Sequence, residues 1–208
     1  MKTILVATGN PGKLVEISAM LDTPALWLTL RDFPGIQEVQ EDGQTFEENA
    51  RKKALGYAGQ TGLWTLADDS GLVVDALKGE PGVHSARFCG HSTDTTDRKT
   101  IDRLNYEKVL DLLRNIPGSR RTGRFVCHLC LASPQKILLE THGQCEGLIL
   151  DTPRGENGFG YDPIFFVPSL NRTIAELSTK EKNAVSHRGN AFIQFKPMLR
   201  KLLENSPD

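Results

Sequence analysis

The chain has 208 residues, of which 38% are hydrophobic and 25% charged, a balance that suits a globular protein of one domain or two joined lobes. Its net charge of −1 at pH 7 argues against a surface built to attract nucleic acid. Because no run of about 18 apolar residues occurs and the apolar start is too short for a signal peptide, we expect no membrane span and a cytoplasmic protein.

The first predicted elements are a buried strand at Thr3 to Ala7, a polar loop at Thr8 to Lys13 and a helix from Leu14 to Leu21. A glycine-bearing loop with a lysine ahead of a helix can hold phosphate, because helix N-termini favour anions. The loop is not a P-loop, since its two glycines are too close together and Leu14 replaces the hydroxyl residue. On its own, the loop reads equally well as a simple turn.

An extended segment is predicted at Ala25 to Leu30, followed by a helix that opens near Glu41 and runs to about Gly59. Thr45 is a suitable N-cap, and Glu48 three residues later completes a capping-box pattern. Read alone, Glu41 and the neighbouring Asp42 fit a helix start better than a metal site, because acidic residues there favour the helix dipole.

Asp68 and Asp69 stand at the predicted end of the strand Leu63 to Ala67, just before a Ser-Gly turn. A buried carboxylate is costly unless a cation stabilises it. We therefore interpret the pair as an oxygen site for a hard ion such as Mg²⁺. A turn without chemical function is the alternative.

In the second half, a surface loop is predicted at Lys78 to Asp97, and the elements after it follow in chain order. They are a helix from Asp97 to Ile116 with Ile101, Leu104, Leu112 and Ile116 on its apolar stripe, an antiparallel hairpin of Arg124 to Ala132 and Lys136 to Cys145, a strand at Pro163 to Val167, and a closing helix at Asn190 to Glu204.

Two cysteines of the four, Cys127 and Cys130, have the C-x-x-C spacing of zinc or redox motifs. They lie in a predicted strand, where residues three apart face opposite sides of the sheet. We therefore interpret them as buried thiols.

Two further polar stretches could contact a nucleotide. Phe159 to Asp162 offers an aromatic ring for stacking and a carboxylate for ring N–H groups, and the predicted loop Lys180 to Gly189 places His187 beside Arg188. By composition alone, each stretch is also an ordinary turn or loop.

Taken together, these segments resemble the inosine/xanthosine triphosphate pyrophosphatases over nearly the full length. The shared motifs, in chain order, are Thr8-x-Asn10-x-x-Lys13, Glu41-Asp42-Gly43-x-Thr45-Phe46-x-Glu48-Asn49-Ala50-x-x-Lys53-Ala54, Ala67-Asp68-Asp69-Ser70-Gly71-Leu72, Gly79 to Arg87, Gly158 to Pro163, and Lys182-Asn183-x-x-Ser186-His187-Arg188.

The resemblance implies an α/β fold with an elongated mixed central sheet and two lobes flanking a nucleotide-binding cleft, all within one domain, 1–208. It implies Mg²⁺-dependent hydrolysis of ITP, dITP and XTP to the monophosphate and pyrophosphate, which removes these nucleotides from the pool. It also implies a homodimer. We expect no nucleic-acid or membrane partner.

Carried over residue by residue, the resemblance makes Asp69 the proton acceptor and, with Glu41, a metal ligand. The residues expected to bind the nucleotide are Thr8, Gly9, Asn10, Pro11, Gly12, Lys13, Lys53, Ser70, Phe159, Gly160, Tyr161, Asp162, Lys182, His187 and Arg188. Arg188 or His187 could donate to the 6-oxo group of hypoxanthine, which the 6-amino group of adenine would not accept.

Three rival readings remain on sequence alone. A nucleotide-sensing protein without turnover is disfavoured by the adjacent pair Asp68 and Asp69, because a pure binder needs no base beside its metal. A P-loop kinase or GTPase is disfavoured by the loop spacing, and a DNA-binding repair protein by the near-neutral charge. Which of the two aspartates is the base stays open.

Overall fold

The structure, a computed structural model, describes residues 1–90 and 97–205. Its strands and helices, in chain order, are β1 (Thr3–Val6), α1 (Pro11–Met20), β2 (Leu26–Thr29), α2 (Phe46–Thr61), β3 (Trp64–Val74), α3 (Arg98–Leu112), β4 (Thr122–Ala132), β5 (Ile137–Ile149), β6 (Phe165–Val167), β7 (Arg172–Thr173), α4 (Thr179–Val185) and α5 (His187–Glu204). Within those described ranges, no helix is long and apolar enough to cross a membrane.

The seven strands form one sheet in the order β2-β1-β3-β4-β5-β6-β7. β1 is parallel to both β2 and β3, whereas β6 is antiparallel to β5 and to β7. A connection of four residues makes β4 and β5 the expected antiparallel hairpin, since a parallel pair needs a much longer crossover. The predicted mixed α/β class is confirmed.

The chain divides into two compact units. The first comprises Met1–Asp69, Cys127–Gly143 and His187–Asp208, and the second comprises Ser70–Val126 and Gln144–Ser186. The expected cleft between flanking lobes stays a prediction.

In the first unit, alternate strand residues bury against different helices. Ile4, Val6 and Leu66 pack with residues of α1 and α5, whereas Leu5 and Ala67 pack with residues of α2. This division follows from the pleat, which points successive side chains to opposite faces. Both faces of this part of the sheet are therefore covered by helices.

The second unit has its own apolar core around α3 and the C-terminal half of β3. Leu72, Val109 and Leu113 are fully buried there, and the rings of Phe125 and Phe165 lie 4.4 Å apart between centroids. This core supports the segments that carry the second group of candidate residues.

The predicted end of β3 at the aspartate pair is wrong, because the strand continues through Asp68 and Asp69 to Val74. Gly71 is a strand residue and not a turn residue. A Cβ at this position would lie 2.3 Å from Ser85 Oγ and 2.7 Å from the carbonyl oxygen of Gly82. The glycine therefore permits a close approach of neighbouring chain to the strand.

Two predicted loops are also corrected. Residues 11–13 form the first turn of α1, so the N-terminal loop is limited to Thr8 to Asn10. The predicted loop Lys180 to Gly189 consists largely of α4 and the start of α5, because Ser178 caps α4 and α5 already begins at His187. Local capping outweighed the polar composition that had indicated a loop.

The helix predicted from Asp97 is α3, with Asp97 as its N-cap rather than its first residue. Its buried apolar side chains are Ile101 and Val109, joined by Leu113 at the C-cap, whereas Leu112, a residue of the predicted stripe, is 47% exposed. The predicted surface loop before it contains a 3₁₀ segment at Gly82–Arg87, and residues 91–96 of that loop lie outside the described part of the chain.

Candidate active site

The phosphate-loop candidate lies at the N-terminus of α1. The side-chain oxygen of Asn10 accepts hydrogen bonds from the N–H groups of Gly12 at 2.9 Å and Lys13 at 3.3 Å. Thr8 Oγ1 accepts from the N–H of Asn10 at 3.2 Å. Pro11 suits the first helical position, where an N–H would have no helical partner. The motif residues thus build a capped helix start with Lys13 on its first turn.

Asp68 points toward α1 and α5 and is surrounded by cations. Its Oδ2 lies 2.9 Å from Lys13 Nζ and 3.4 Å from Arg188 Nε. Burial raises the pKa of this carboxyl, but the charges of Lys13, Arg188 and Lys53 outweigh burial and hold the pKa well below its usual range. Asp68 is therefore an ionised anchor for Lys13 and a poor proton acceptor.

The guanidinium of Arg188 is 1% exposed and also pairs with Glu16 of α1. Glu16 lies one helical turn after Lys13, so one face of α1 presents a cation and an anion to the same cluster. Sequence reasoning missed Glu16, although its spacing from Lys13 was visible. The expected contact between Arg188 and the nucleotide stays a prediction.

Asp69, on the opposite face of β3, points toward α2. Its Oδ2 accepts from Asn49 Nδ2 at 3.1 Å, and its Oδ1 lies 3.7 Å from Lys53 Nζ. The same Nζ donates to Glu41 Oε2 at 2.9 Å, so one buried ammonium gathers two carboxylates. Burial raises the pKa of the Asp69 carboxyl, and the negative charge of Glu41 raises it further. The positive charges of Lys53 and Lys13 act in the opposite direction, but the net change is an increase.

Asn49 orients Asp69 and is itself oriented by the backbone. Its Oδ1 accepts from the N–H of Gly43 at 2.8 Å, while its amide donates to Asp69. A Cβ at position 43 would lie 2.7 Å from that Oδ1, so the glycine is needed for this contact. The motif that starts at Glu41 therefore includes a residue that positions a carboxylate, a role not assigned from sequence.

Glu41 and Asp69 form an oxygen-only donor pair. In residues 1–90 and 97–205, no group of three or more His, Cys, Asp or Glu side chains is arranged to hold a metal ion. Two carboxylates nevertheless suit Mg²⁺, which is commonly held by one or two carboxylates with waters and substrate phosphates. The donor chemistry thus fits the expected ion.

In the second unit, the segment Phe159 to Asp162 is closed by a buried ion pair. Asp162 Oδ2 contacts Lys182 Nζ and accepts from the N–H of Phe159 at 2.9 Å. Lys182 Nζ also lies 4.6 Å from the centre of the Phe159 ring. Glycines at 158 and 160 have positive φ values of 77° and 62°, which the tight turn requires. This arrangement presents a half-buried ring beside a fixed cation.

The structure places the candidates as two groups. The first unit contains Thr8 to Lys13, Glu41, Lys53, Asp69, His187 and Arg188, and the second contains Ser70, Phe159 to Asp162 and Lys182. His187 opens α5 and is 5% exposed. A pocket lined by residues 1–3, 62–64 and 133–135 includes none of these candidates.

Comparison with known proteins gives matches over most of the chain. The model of the Ham1 family matches residues 4–198. A dITP/XTP pyrophosphatase of Geobacter sulfurreducens is 51% identical over 200 residues, which cover 96% of this chain and 97% of that protein. A dITP/XTP pyrophosphatase of Bacillus cereus is 48% identical over 211 residues, which cover 100% of this chain and 96% of that protein.

Solved structures agree with these matches. A HAM1 protein from Coxiella burnetii superposes with a TM-score of 0.84 at 42% identity, covering 97% of this chain and all of that one. The Ham1 protein of Staphylococcus aureus gives a TM-score of 0.83 at 37% identity, again covering 97% and 100%.

Proposed function

The chain belongs to the Ham1 family, and we propose that it is a nucleoside triphosphate pyrophosphatase that hydrolyses ITP, dITP and XTP to the monophosphate and pyrophosphate. The relatives named dITP/XTP pyrophosphatase support the substrate class. The observation that carries the chemistry is the pair of carboxylates, Glu41 and Asp69, gathered around the buried ammonium of Lys53.

Binding of the triphosphate is assigned to the N-terminal group. The capped end of α1 and the ammonium of Lys13 attract phosphate oxygens, and Lys53 adds a second positive charge. Asp68 holds Lys13 from the protein side and is itself paired with Arg188. Because phosphoryl transfer depends mainly on positioning and charge neutralisation, these fixed cations would supply much of the rate enhancement.

Asp69 is the proposed proton acceptor. It takes a proton from the attacking water as the new P–O bond forms and the bond to the oxygen bridging the α and β phosphates breaks, so that pyrophosphate leaves. The raised pKa of Asp69 suits a base better than the lowered pKa of Asp68. Asn49 keeps the carboxylate in place during this step.

Glu41 and Asp69 are the residues that would hold a divalent cation, which we propose to be Mg²⁺. Bound there, such an ion neutralises phosphate charge and lowers the pKa of a bound water.

Base recognition is assigned to Phe159, which stacks on the purine, and to Asp162 and Lys182 beside it. His187 and Arg188 are the proposed donors to the 6-oxo group. A site built on donors leaves them unpaired when adenine enters, and such a mismatch can discriminate strongly. Tyr161, Gly160 and Ser70 complete the proposed contacts of the nucleotide.

We further propose a cytoplasmic homodimer without a nucleic-acid partner. Sedimentation equilibrium tests the assembly, and a mass of one chain at micromolar concentration would contradict the dimer.

The deciding experiment is a panel of ITP, dITP, XTP, ATP and GTP with Mg²⁺, in which monophosphate and pyrophosphate are quantified together. We expect one pyrophosphate for each monophosphate from the first three nucleotides and far slower turnover of ATP and GTP. Inorganic phosphate as the product would indicate an NTPase of another class. Tight ITP binding without turnover would indicate a nucleotide sensor.

A further inference from the structure

The turn that carries the Phe159 ring is held by two carboxylates, one from the turn and one from α3. The N–H of Phe159 donates to Asp162 Oδ2 at 2.9 Å, and the N–H of Gly160 donates to Asp102 Oδ2 at 2.9 Å. These two N–H groups belong to the peptide bonds on either side of Phe159. Because each peptide unit is planar, fixing both restricts the two backbone angles between them. The direction of the Cα–Cβ bond from which the ring projects is thereby fixed.

Asp102 forms an ion pair with a cation of its own helix. It is 8% exposed, and its Oδ1 lies 3.0 Å from Nε of Arg98, one helical turn earlier. Asp162 is matched in the same way by Lys182. Each of the two carboxylates that hold the turn thus has a separate positive partner. Hydrogen bonds from N–H groups to ionised carboxylates are stronger than those to neutral acceptors.

The helix that bears Asp102 is anchored to the rest of the second unit. Asn105, one turn later on α3, is 1% exposed, accepts from the N–H of Cys89 at 2.7 Å and donates to the carbonyl of Ala86 at 3.3 Å. The hydroxyl of Tyr161 donates to the carbonyl of Ser85 at 2.8 Å. The turn and α3 are therefore bound to the same 3₁₀ segment, so Asp102 acts from a rigid support.

We infer that Asp102 is a positioning residue for base recognition, which orients Phe159 through the N–H of Gly160. The inference rests on the proposed function, in which Phe159 stacks on the purine. A turn that is ordered before the nucleotide arrives avoids an entropic cost on binding. Because Asp102 acts through the turn that carries Phe159, its effect should fall on base affinity.

The test compares Asp102→Ala and Asp102→Asn with the control Glu107→Gln. The control removes the negative charge of a second ion pair on α3, between Arg103 and Glu107. This pair has the same spacing along the helix and an N···O distance of 3.0 Å, but it is exposed to solvent. KM and kcat are measured with ITP, and inhibition constants with inosine monophosphate and inorganic tripolyphosphate. The tripolyphosphate has no base and reports on the phosphate site alone.

We expect Asp102→Ala to raise KM for ITP and the inhibition constant of inosine monophosphate by about tenfold, the scale of one charged hydrogen bond. The kcat should change less than about twofold, because base stacking contributes equally to ground and transition states. The inhibition constant of tripolyphosphate should change as little, because this inhibitor has no base. Asp102→Asn keeps a neutral acceptor for Gly160 and should raise KM clearly less than Asp102→Ala does. Equal losses in the Asn and Ala variants, or a parallel loss for tripolyphosphate, would overturn the inference.

Amide hydrogen exchange of residues 158–162 without nucleotide supplies a readout that does not depend on turnover. Exchange should accelerate in Asp102→Ala and not in Glu107→Gln, and unchanged exchange would also overturn the inference. If Asp102→Ala does not fold, Asp102→Leu replaces it, since leucine has the shape of asparagine without the acceptor. A wild-type protein that releases no pyrophosphate from ITP would refute the proposed function while leaving the exchange result interpretable.

Discussion

Asp68 and Asp69 have identical side chains and opposite surroundings. The first contacts Lys13 and Arg188, and its pKa is lowered by their charges after burial has been overcome. The second lies near Lys53 and Glu41, and its pKa is raised by burial together with Glu41. Environment alone therefore separates an anchoring carboxylate from a reactive one.

Asp69→Asn should lower kcat for ITP by about 10²–10⁴-fold, the usual cost of losing a general base. The variant should be at least as stable as the wild type, because it removes a buried charge next to Glu41. Thermal unfolding and kcat at saturating Mg²⁺ and ITP check both statements.

Asp68→Asn should show the reverse pattern. Removing one partner of a buried ion pair leaves Lys13 and Arg188 uncompensated and should cost about 3 kcal/mol of stability, with a smaller loss of kcat than in Asp69→Asn. If Asp68→Asn is instead the less active of the two when saturated, the assignment of the base is reversed.

The four thiols should differ sharply in reactivity. Burial raises the pKa of Cys127 and Cys130 to about 12, and the two lie in different apolar clusters. With iodoacetamide at pH 8, we expect the native protein to be alkylated at half-buried Cys89 first, and all four only after unfolding. Mass spectrometry with Cys89→Ser as the control checks this. Rapid native labelling of Cys130, or stoichiometric zinc, would contradict it.

Among the secondary-structure elements, α4 is short and depends on its cap. Glu181 accepts from the N–H of Ser178 at 2.8 Å and also contacts Arg172 and the Ser178 hydroxyl, and these contacts lower its pKa to about 2. The helix carries Lys182, which pairs with Asp162. A polar cap on the surface thus supports a buried ion pair.

Glu181 should make stability depend on pH in acid. Its folded pKa, about 2, lies below the ordinary value of 4.5, so its contribution is complete above pH 4.5 and is lost as the pH falls toward 2. We expect the melting temperature of Glu181→Gln to lie below that of the wild type at pH 6 and to converge with it near pH 2 to 3. Lys180→Gln on the same helix is the control, and a difference independent of pH would contradict the cap.

The start of α5 packs against a glycine of β5. A Cβ at Gly143 would lie 2.3 Å from the carbonyl oxygen of His187 and 2.4 Å from the N of Ala191. Gly143→Ala should therefore destabilise the protein by about 1–3 kcal/mol and disturb His187 and Arg188. Gly59→Ala on α2 meets nothing within 4 Å and should stabilise by about 0.5–1 kcal/mol. Urea unfolding of both variants checks the contrast, and equal midpoints would refute it.

Local patterns identified some elements and missed others for physical reasons. The N-cap at Thr45 was predictable, because it depends on residues within one helical turn. The second half of the predicted capping box differs, since the Glu48 carboxylate accepts from the N–H of Gln44 and not from that of Thr45. The role of Asp68 was not, since its partners Lys13 and Arg188 are distant in sequence. Glu41 could be recognised only through a family resemblance, because its contact with Lys53 leaves no periodic signal.

On the scale of the whole molecule, activity should depend on a hard divalent ion. Glu41 and Asp69 offer oxygen ligands only, and oxygen ligands favour Mg²⁺ over zinc. Exhaustive chelation should abolish pyrophosphate release from ITP, and excess Mg²⁺ should restore it. Unfolding temperature serves as the control, because loss of fold after chelation would indicate a structural ion. Full activity after chelation would refute the metal assignment.

The alternation of β3 has a consequence for tolerance to insertions and deletions. Leu66 and Asp68 point toward α1 and α5, whereas Ala67 and Asp69 point toward α2. The number of residues between each aspartate and Trp64, which pairs with Ile4, decides which face of the sheet the aspartate occupies. The face in turn decides which aspartate is anchored and which is reactive. Removing a single residue between Trp64 and Asp68 would turn each aspartate to the opposite face of the sheet, away from the partners that define its role. A library of in-frame length variants should therefore lose activity in this segment even where point substitutions are accepted.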